Sequence, residues 1–240
     1  MSEAHPEIDY HHSQTAKHAL RRGILWSDGF ILLIAFSILS TGRLGWMRGW
    51  IFLAVYILLA VATLSYLWRV NPEVIVARSA HHRDTKSWDK VLLLLFVFLF
   101  IAMFQVAAID EGRFHWSAVP LWLCVAGYIL LLIRTAGNVW VLSVNKFAEL
   151  SVRIQTDRSQ KVIVIGPYAI VRHPIYSATF FFYTGIPLAL GSYWAFIPAA
   201  ISVLLVIVRT ALEDRMLQNE LAGYKDYAAR VRYRLVPGIW

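Results

Sequence analysis

Long apolar runs constrain the fold of this 240-residue chain more than any other feature. A transmembrane helix needs about 20 mostly apolar residues to cross the hydrocarbon core of a bilayer. Inside that core, irregular backbone would leave N–H and C=O groups unpaired, so helices are the expected form. The sequence predicts six spans, over residues 24–40, 50–68, 91–109, 116–133, 175–190 and 193–210.

Composition also favours an integral membrane protein. Hydrophobic residues make up 58% of the chain and charged residues only 16%, whereas a soluble domain usually carries about 25% charged residues. We expect an all-α, polytopic membrane bundle that forms a single domain over residues 1–240 and ends in a helical hairpin followed by a cytoplasmic helix. Residues 1–22 are mostly polar, so a flexible tail is expected there. The segment lacks the apolar core of a signal peptide.

The distribution of positive charge predicts the topology. With both termini in the cytoplasm, all of the 23 lysines and arginines except Arg43, Arg48 and Arg113 fall on the cytoplasmic side. This asymmetry is what the positive-inside rule favours. The net charge of +8 is then a consequence of topology, and no nucleic-acid partner is expected.

Local sequence predicts the connections between the spans. Residues 71–90 are expected to form a polar loop, and residues 110–115 a short acidic turn. The fourth helix is expected to continue beyond its span towards Asn145. Residues 191–192 are too few for anything except an antiparallel helical hairpin, and residues 211–240 resemble an amphipathic helix followed by a tail.

The segment before the fifth span, residues 166–176, concentrates unusual residues. Pro167 and Pro174 interrupt regular helix, and Pro174 also suits the first turn of a following helix. Arg172 and His173 are therefore expected at the entrance of a membrane helix. An anchoring role is an alternative, because tyrosine and arginine favour the membrane–water interface.

Arg209 and Glu213, near the end of the sixth span, are four residues apart and share a helix face. One interpretation is an ordinary intrahelical ion pair, which contributes about 0.3–0.5 kcal/mol. The other is a functional site, because ionisable residues at membrane depth usually face a cavity. Asp214 is turned about 100° away from Glu213, so we expect its replacement to have a milder effect.

Other polar residues in apolar surroundings leave alternatives open. Asn138 and Asn145 lie nearly on one helix face, where they could bond neighbouring helices or line a cofactor cleft. No second ligand at metal-binding spacing accompanies His173, and Cys124 is the only cysteine, so no metal site is expected. The glycine-rich fingerprint of soluble dinucleotide-binding folds is absent, so an adenosyl cofactor would need a helical pocket.

Two of these motifs, in this order and spacing, carry a resemblance to a known family. Gly166-Pro167-Tyr168 with Arg172-His173-Pro174-x-Tyr176, followed by Arg209 and Glu213-Asp214, resembles the signature of the integral-membrane methyltransferases. That family includes isoprenylcysteine carboxyl methyltransferases and phospholipid N-methyltransferases. Bacterial members share two further motifs. In this chain they are Asn71-Pro72-Glu73-Val74 with Arg78, and Tyr224-x-x-Tyr227 before Arg234-Leu235-Val236-Pro237. The resemblance therefore extends over roughly residues 69–240. Asp214 departs from the usual second glutamate, and Ala178 from a common glycine.

The resemblance implies an S-adenosylmethionine-dependent enzyme with a lipophilic acceptor taken from the bilayer. Its catalytic region would span residues 134–240 and face the cytoplasm, in a bacterial inner membrane. Arg209 and Glu213 are the implied catalytic residues, with Glu213 on the cofactor and Arg209 on an anionic group of the acceptor. The implied cofactor-binding residues are Gly166, Pro167, Tyr168, Arg172, His173, Pro174, Tyr176, Glu213 and Asp214.

The sequence leaves more than one acceptor and more than one reaction class open. Isoprenylcysteine carboxyl O-methylation is the activity that the resemblance favours, with phospholipid amine N-methylation as its alternative. Membrane sterol reductases, which use a nicotinamide cofactor, share an Arg-His-Pro-like element. A non-catalytic scaffold or transporter is disfavoured, because the polar residues gather at one end of the spans and few lie within them.

Overall fold

The computed structural model describes residues 31–39, 45–79 and 84–240. These residues form helices without any strand, which confirms the all-α prediction for the described part of the chain. The predicted tail over 1–22 lies outside it. The helices are residues 31–39 (α1), Met47–Val70 (α2), Pro72–Ser79 (α3), Ser87–Ala107 (α4), Leu121–Val144 (α5), Pro174–Leu190 (α6), Phe196–Glu220 (α7) and Tyr224–Arg230 (α8).

Four of the described helices are long and apolar enough to cross a membrane: α2, α4 with its extension to Phe114, α5 and α7. Helix α6 has 17 residues, so it is about 26 Å long at 1.5 Å per residue. The first predicted span, 24–40, lies partly outside the described residues. The count of six spans and their orientation therefore remain predictions.

The helices pack around a shared apolar core and leave apolar side chains on the outside. Phe104, Ile186 and Leu190 are completely buried at the centre of this core. In contrast, Leu94 on α4 and Leu121 on α5 are 70% and 74% exposed. Such outward leucines along whole helices are typical of a surface that contacts lipid, because a soluble protein rarely exposes extended apolar patches.

Helices α5 and α6 approach each other closely where two glycines meet. A side-chain carbon added to Gly127 would lie 2.5 Å from the backbone nitrogen of Ala189 and 2.8 Å from the oxygen of Gly185. One added to Gly185 would lie 2.9 Å from the oxygen of Gly127. Small residues allow such close packing between membrane helices, and this contact fixes α6 against α5.

Three predicted boundaries differ from the structure. The expected turn at 110–115 is wrong, because α4 continues as a π-helix over Ala108–Phe114 and the chain reverses at His115, which has φ 55°. The expected loop at 71–90 contains α3, which buries Val74 and Ile75. The helix of the last predicted span does not stop at residue 210, because α7 continues to Glu220 with Met216 and Leu217 buried.

Two other predictions are confirmed. Helix α5 runs through Val144, as expected from the pattern that continues beyond residue 133. Helices α6 and α7 form the predicted hairpin, which turns at Gly191 with φ 77°. A buried carboxylate secures this turn, since Asp110 accepts hydrogen bonds from the hydroxyl groups of Ser117 at 2.6 Å and Ser192 at 2.5 Å.

The chain brings its two polar motif regions together at the other end of the helices. Segment 145–173 and the end of α7 meet there, and residues 231–235 return to the start of α6. This placement agrees with the prediction that the two motif halves lie on one side of the membrane.

We expect this end to face the cytoplasm, because the positive charge is concentrated in the segments that form it. Reporter domains fused after residue 112 and after residue 240 should report opposite sides of the membrane, with the second in the cytoplasm. The same side for both fusions would contradict the six-span topology.

Candidate active site

The Arg172-His173 pair is held by its own backbone at the start of α6. The N–H groups of Arg172 and His173 each donate at 2.9 Å, to the carbonyl oxygens of Tyr233 and Arg234. Pro174 is the first residue of α6, as predicted. The C-terminal segment therefore fixes the direction in which both side chains leave the chain.

Asp214 lies at the centre of a buried polar cluster. Its side chain is fully buried and accepts both the Nε of Arg172 at 2.7 Å and its Nη2 at 3.0 Å. Its other partners are Arg234 at 2.9 Å, Gln218 at 2.8 Å, Tyr224 at 3.1 Å and His173 at 3.2 Å. One carboxylate thus connects α7 to the start of α6, to α8 and to the C-terminal segment.

The charge of Asp214 also sets the ionisation of its neighbours. Burial alone would lower the pKa of Arg172, but the hydrogen bonds and charge of Asp214 raise it above its ordinary value. Burial raises the pKa of Tyr224, and the negative charge of Asp214 raises it further. Arg172 is therefore charged and Tyr224 neutral at pH 7, which suits both as hydrogen-bond donors.

Arg209 pairs with a carboxylate that the sequence did not indicate. Its Nε and Nη2 donate to Asp89 on α4 at 2.7 and 3.1 Å, and its Nη2 also donates to the carbonyl of Leu150 at 2.7 Å. Asp89 is completely buried and accepts the N–H of Val152 at 2.7 Å. The pair joins α4, α7 and the segment after α5, so the intrahelical pair between Arg209 and Glu213 is not formed.

Glu213 has a carboxylate oxygen that can still accept hydrogen bonds. One of its oxygens accepts a hydrogen bond from the hydroxyl of Tyr176 at 2.5 Å. Its other oxygen makes no hydrogen bond to any residue that the structure describes. Asp89 and Asp214 are fully occupied by comparison, so Glu213 presents the available negative charge on this part of α7.

Glu213 opens into a pocket of about 170 Å³ that we call the motif pocket. Its walls include several aromatic side chains, and the rings of His173 and Tyr176 stack at 5.8 Å between centroids. Of the residues predicted to bind cofactor or act in catalysis, the pocket is lined by Tyr168, Arg172, His173, Pro174, Tyr176, Arg209 and Glu213.

The other predicted site residues lie behind this wall. Gly166 and Pro167 form a short 3-10 turn, in which Gly166 has φ 60°. This turn places Tyr168, whose hydroxyl accepts a hydrogen bond from Asn145 at 2.6 Å. Asp214 does not line the pocket, so its contact with the pocket is indirect, through Arg172 and His173.

A second ion-pair cluster stiffens the pocket wall. Arg153 is almost completely buried and pairs with Glu149 at 2.8 Å, with Asp157 at 2.7 Å and with Asp84 at 3.1 Å. The hydrogen bonds that Arg153 donates to Glu149 raise the pKa of Arg153, although burial opposes this. Sequence reasoning missed this cluster, although Glu149, Arg153 and Asp157 recur at intervals of four residues.

A larger cavity of about 510 Å³, which we call the apolar cavity, lies among α2, α3 and α5. Arg78 and Leu150 line both this cavity and the motif pocket, so the two adjoin. Asn138 lines the apolar cavity and Asn145 the motif pocket, so the two asparagines do not share one site. Among the described residues, no group of three potential metal ligands is present.

Fold and site together define a helical membrane protein with a polar pocket at one end of its bundle. Residues 122–222 match the model of the family described as "Phospholipid methyltransferase". This match confirms the predicted resemblance to the integral-membrane methyltransferases over that part of the chain. The match is narrower than residues 69–240 and excludes α3 and α8. No curated protein sequence matches the chain.

Proposed function

We propose that this protein transfers a methyl group from S-adenosylmethionine to a lipophilic acceptor at the motif pocket. The observation that carries the proposal is the oxygen of Glu213 that no described residue hydrogen-bonds. It lies in a pocket with several aromatic side chains, within a region matched to a methyltransferase family. S-adenosylmethionine supplies an electrophilic methyl group on a positively charged sulfonium.

The pocket residues suit a cofactor with a cationic and an aromatic part. Glu213 offers negative charge to the cationic part, and rings such as that of Tyr168 offer aromatic faces, each contributing about 0.5–2 kcal/mol to a cation. Burial raises the pKa of Tyr168, against the effect of its hydrogen bond with Asn145. The tyrosine therefore stays neutral and leaves Glu213 as the anionic partner.

The size of the pocket adds one requirement. Its volume of about 170 Å³ is below the roughly 300 Å³ of the smaller drug-sized ligand pockets. We expect the motif pocket to widen when the cofactor binds, with the fixed ends of α6 and α7 as its stable side.

Arg209 lines the same pocket and is oriented by Asp89. In this proposal it positions the acceptor through its Nη1 group, because its Nε and Nη2 donate to Asp89 and Leu150, and a charged hydrogen bond to an anionic group is a strong one. A carboxylate acceptor is already ionised at pH 7 and needs no base. An amine acceptor must lose a proton, and Glu213 is the candidate base for that reaction.

We place carboxyl O-methylation of an isoprenylcysteine-like acceptor first, because the basic groups at the boundary between the two cavities suit an anionic acceptor. Phospholipid amine N-methylation is the second candidate, favoured by the description of the matched family. A nicotinamide dinucleotide is disfavoured, because Arg153 and Arg172 on the pocket wall are already paired with carboxylates.

We expect the purified protein to bind S-adenosylmethionine and not NADPH. Calorimetric titration of the full chain in detergent with each cofactor measures this directly. Glu213→Ala should weaken the methyl donor's binding, whereas the matched change Glu220→Gln, two turns further along α7 at an exposed surface pair, should leave it unchanged. Binding of NADPH alone would contradict the proposal and favour a reductase.

A further inference from the structure

The apolar cavity has the size and lining of a site for a hydrocarbon chain. Its volume of about 510 Å³ lies within the roughly 300–1,000 Å³ range of ligand pockets. Phe52 and Leu59 of α2 and Leu131 of α5 contribute apolar walls. These helices are two of the four that are long and apolar enough to span a membrane, so a hydrocarbon chain could enter the cavity from the bilayer.

One arginine stands in this apolar lining. Arg134 lies near the middle of α5, a position where an ionised side chain in a membrane helix is costly. Its guanidinium lies over the ring of Phe182, 4.8 Å from the centroid. Within the described part of the chain, Arg134 forms neither an ion pair nor a hydrogen bond. Its positive charge therefore faces the cavity with no carboxylate among the described residues to balance it.

Arg78 adds a second positive charge where the two cavities adjoin. Its Nη1 donates only a long hydrogen bond, 3.4 Å to the carbonyl of Ala148, and no described carboxylate pairs with it. Burial, together with the nearby guanidinium groups of Arg134 and Arg209, lowers the pKa of Arg78 to about 10. Since Arg209 is neutralised by Asp89, Arg78 and Arg134 are the uncompensated pair.

On the basis of the proposed methyl transfer, we infer that the apolar cavity binds the acceptor lipid and that Arg134, with Arg78, binds an anionic group of that lipid. A planar guanidinium presents a fixed fork of hydrogen-bond donors that matches a carboxylate or a phosphate, whereas an ammonium group acts as a point charge. The hydrocarbon tail lies along α2 and α5, and the anionic end points to the boundary shared with the motif pocket. Arg134 is thus a positioning residue for the acceptor.

The test compares three lipids that share one acyl chain: a fatty acid, a lysophosphatidic acid and a neutral monoacylglycerol. Each displaces a radiolabelled fatty acid from the purified full chain in nonionic detergent at pH 8. We expect at least one anionic lipid to bind about tenfold or more tightly than the monoacylglycerol, because hydrogen bonds between charged groups are the strong ones. The tighter of the two anions identifies carboxylate or phosphate.

Variants assign the preference to the residues. Arg134→Gln should bring the affinities for anionic and neutral lipids to within a factor of about two, whereas Arg134→Lys, which keeps the charge, should retain part of the preference. The matched control is Arg113→Gln, which removes an arginine from the opposite end of the bundle. Equal binding of all three lipids by the wild-type chain, which does not depend on the folding of any variant, would overturn the inference. So would an unchanged preference in both Arg134→Gln and Arg78→Gln.

The outcome is separable from that of the proposed function. If the protein prefers anionic lipids but does not bind S-adenosylmethionine, the lipid site is supported and the proposed methyl transfer is contradicted. If it binds S-adenosylmethionine but shows no preference for anionic lipids, the proposed function is supported and the lipid site is contradicted.

Discussion

Replacing Asp214 with alanine is expected to destabilise the folded protein by about 3–5 kcal/mol, the usual effect of removing one partner from a buried ion pair. The variant would leave the buried guanidinium of Arg172 without its carboxylate. It would also remove the acceptor for Tyr224 and Arg234. The loss should lower the thermal unfolding midpoint by roughly 10 °C for a chain of this size.

Circular dichroism of the purified variant in detergent measures this effect. Asp226→Ala on α8 is the matched control, because Asp226 is exposed and surface substitutions usually change stability by less than about 0.5 kcal/mol. Asp214→Asn should be intermediate, since it preserves the shape but removes the charge. A midpoint for Asp214→Ala equal to that of Asp226→Ala would contradict the structural role assigned to the cluster.

The prediction for Asp214 concerns stability, whereas helix geometry bears on activity. From the sequence, Asp214 is turned away from Glu213, and its replacement is expected to affect methyl transfer less than that of Glu213. The rotation is correct, but it directs the carboxylate into the cluster formed by the start of α6 and the C-terminal segment. A helical wheel gives the direction of a side chain and not what another segment places there.

Sequence reasoning succeeded for the parts of the site that are local. The two prolines predicted the turn and the start of α6. The predicted order of the spans placed Glu213 at the same end of the bundle as Tyr176, and the two side chains are hydrogen-bonded. Interactions that join distant segments were not predictable. Asp89 lies 120 positions before Arg209, and nothing local connects the two.

Two signals in the sequence could have indicated more. Asp89 is an acidic residue at the start of an apolar span, and Arg134 is a basic residue within the extended fourth helix. Ionisable residues in such positions usually face a partner or a cavity. The predicted fourth span ends at residue 133, so Arg134 was assigned to the positively charged segment that follows it. In the structure Arg134 lines the apolar cavity.

The second large effect is expected at Glu213. Glu213→Ala should lower methyl transfer tenfold or more, equivalent to roughly 1.4 kcal/mol or above in transition-state free energy, because the pocket loses its available carboxylate. Arg209→Ala should lower transfer by a similar factor through weaker positioning of the acceptor, with the cofactor's affinity nearly intact. It should also reduce stability, since Asp89 would remain buried without its partner. Glu213 is therefore the cleaner test of chemistry.

Transfer of label from methyl-labelled S-adenosylmethionine to lipid, in membranes that contain the protein, is the most direct measurement of the central claim. The membranes are supplemented with a prenylated cysteine and a phosphatidylethanolamine, and the wild type is compared with Glu213→Ala and with Glu220→Gln. We predict label in the lipid fraction for the wild type and Glu220→Gln, and at least about tenfold less for Glu213→Ala. Release of the label as methanol by alkali identifies a methyl ester, and resistance to alkali identifies a methylated amine. A wild-type lipid fraction with no more label than membranes lacking the protein, or full transfer by correctly inserted Glu213→Ala, would contradict the account.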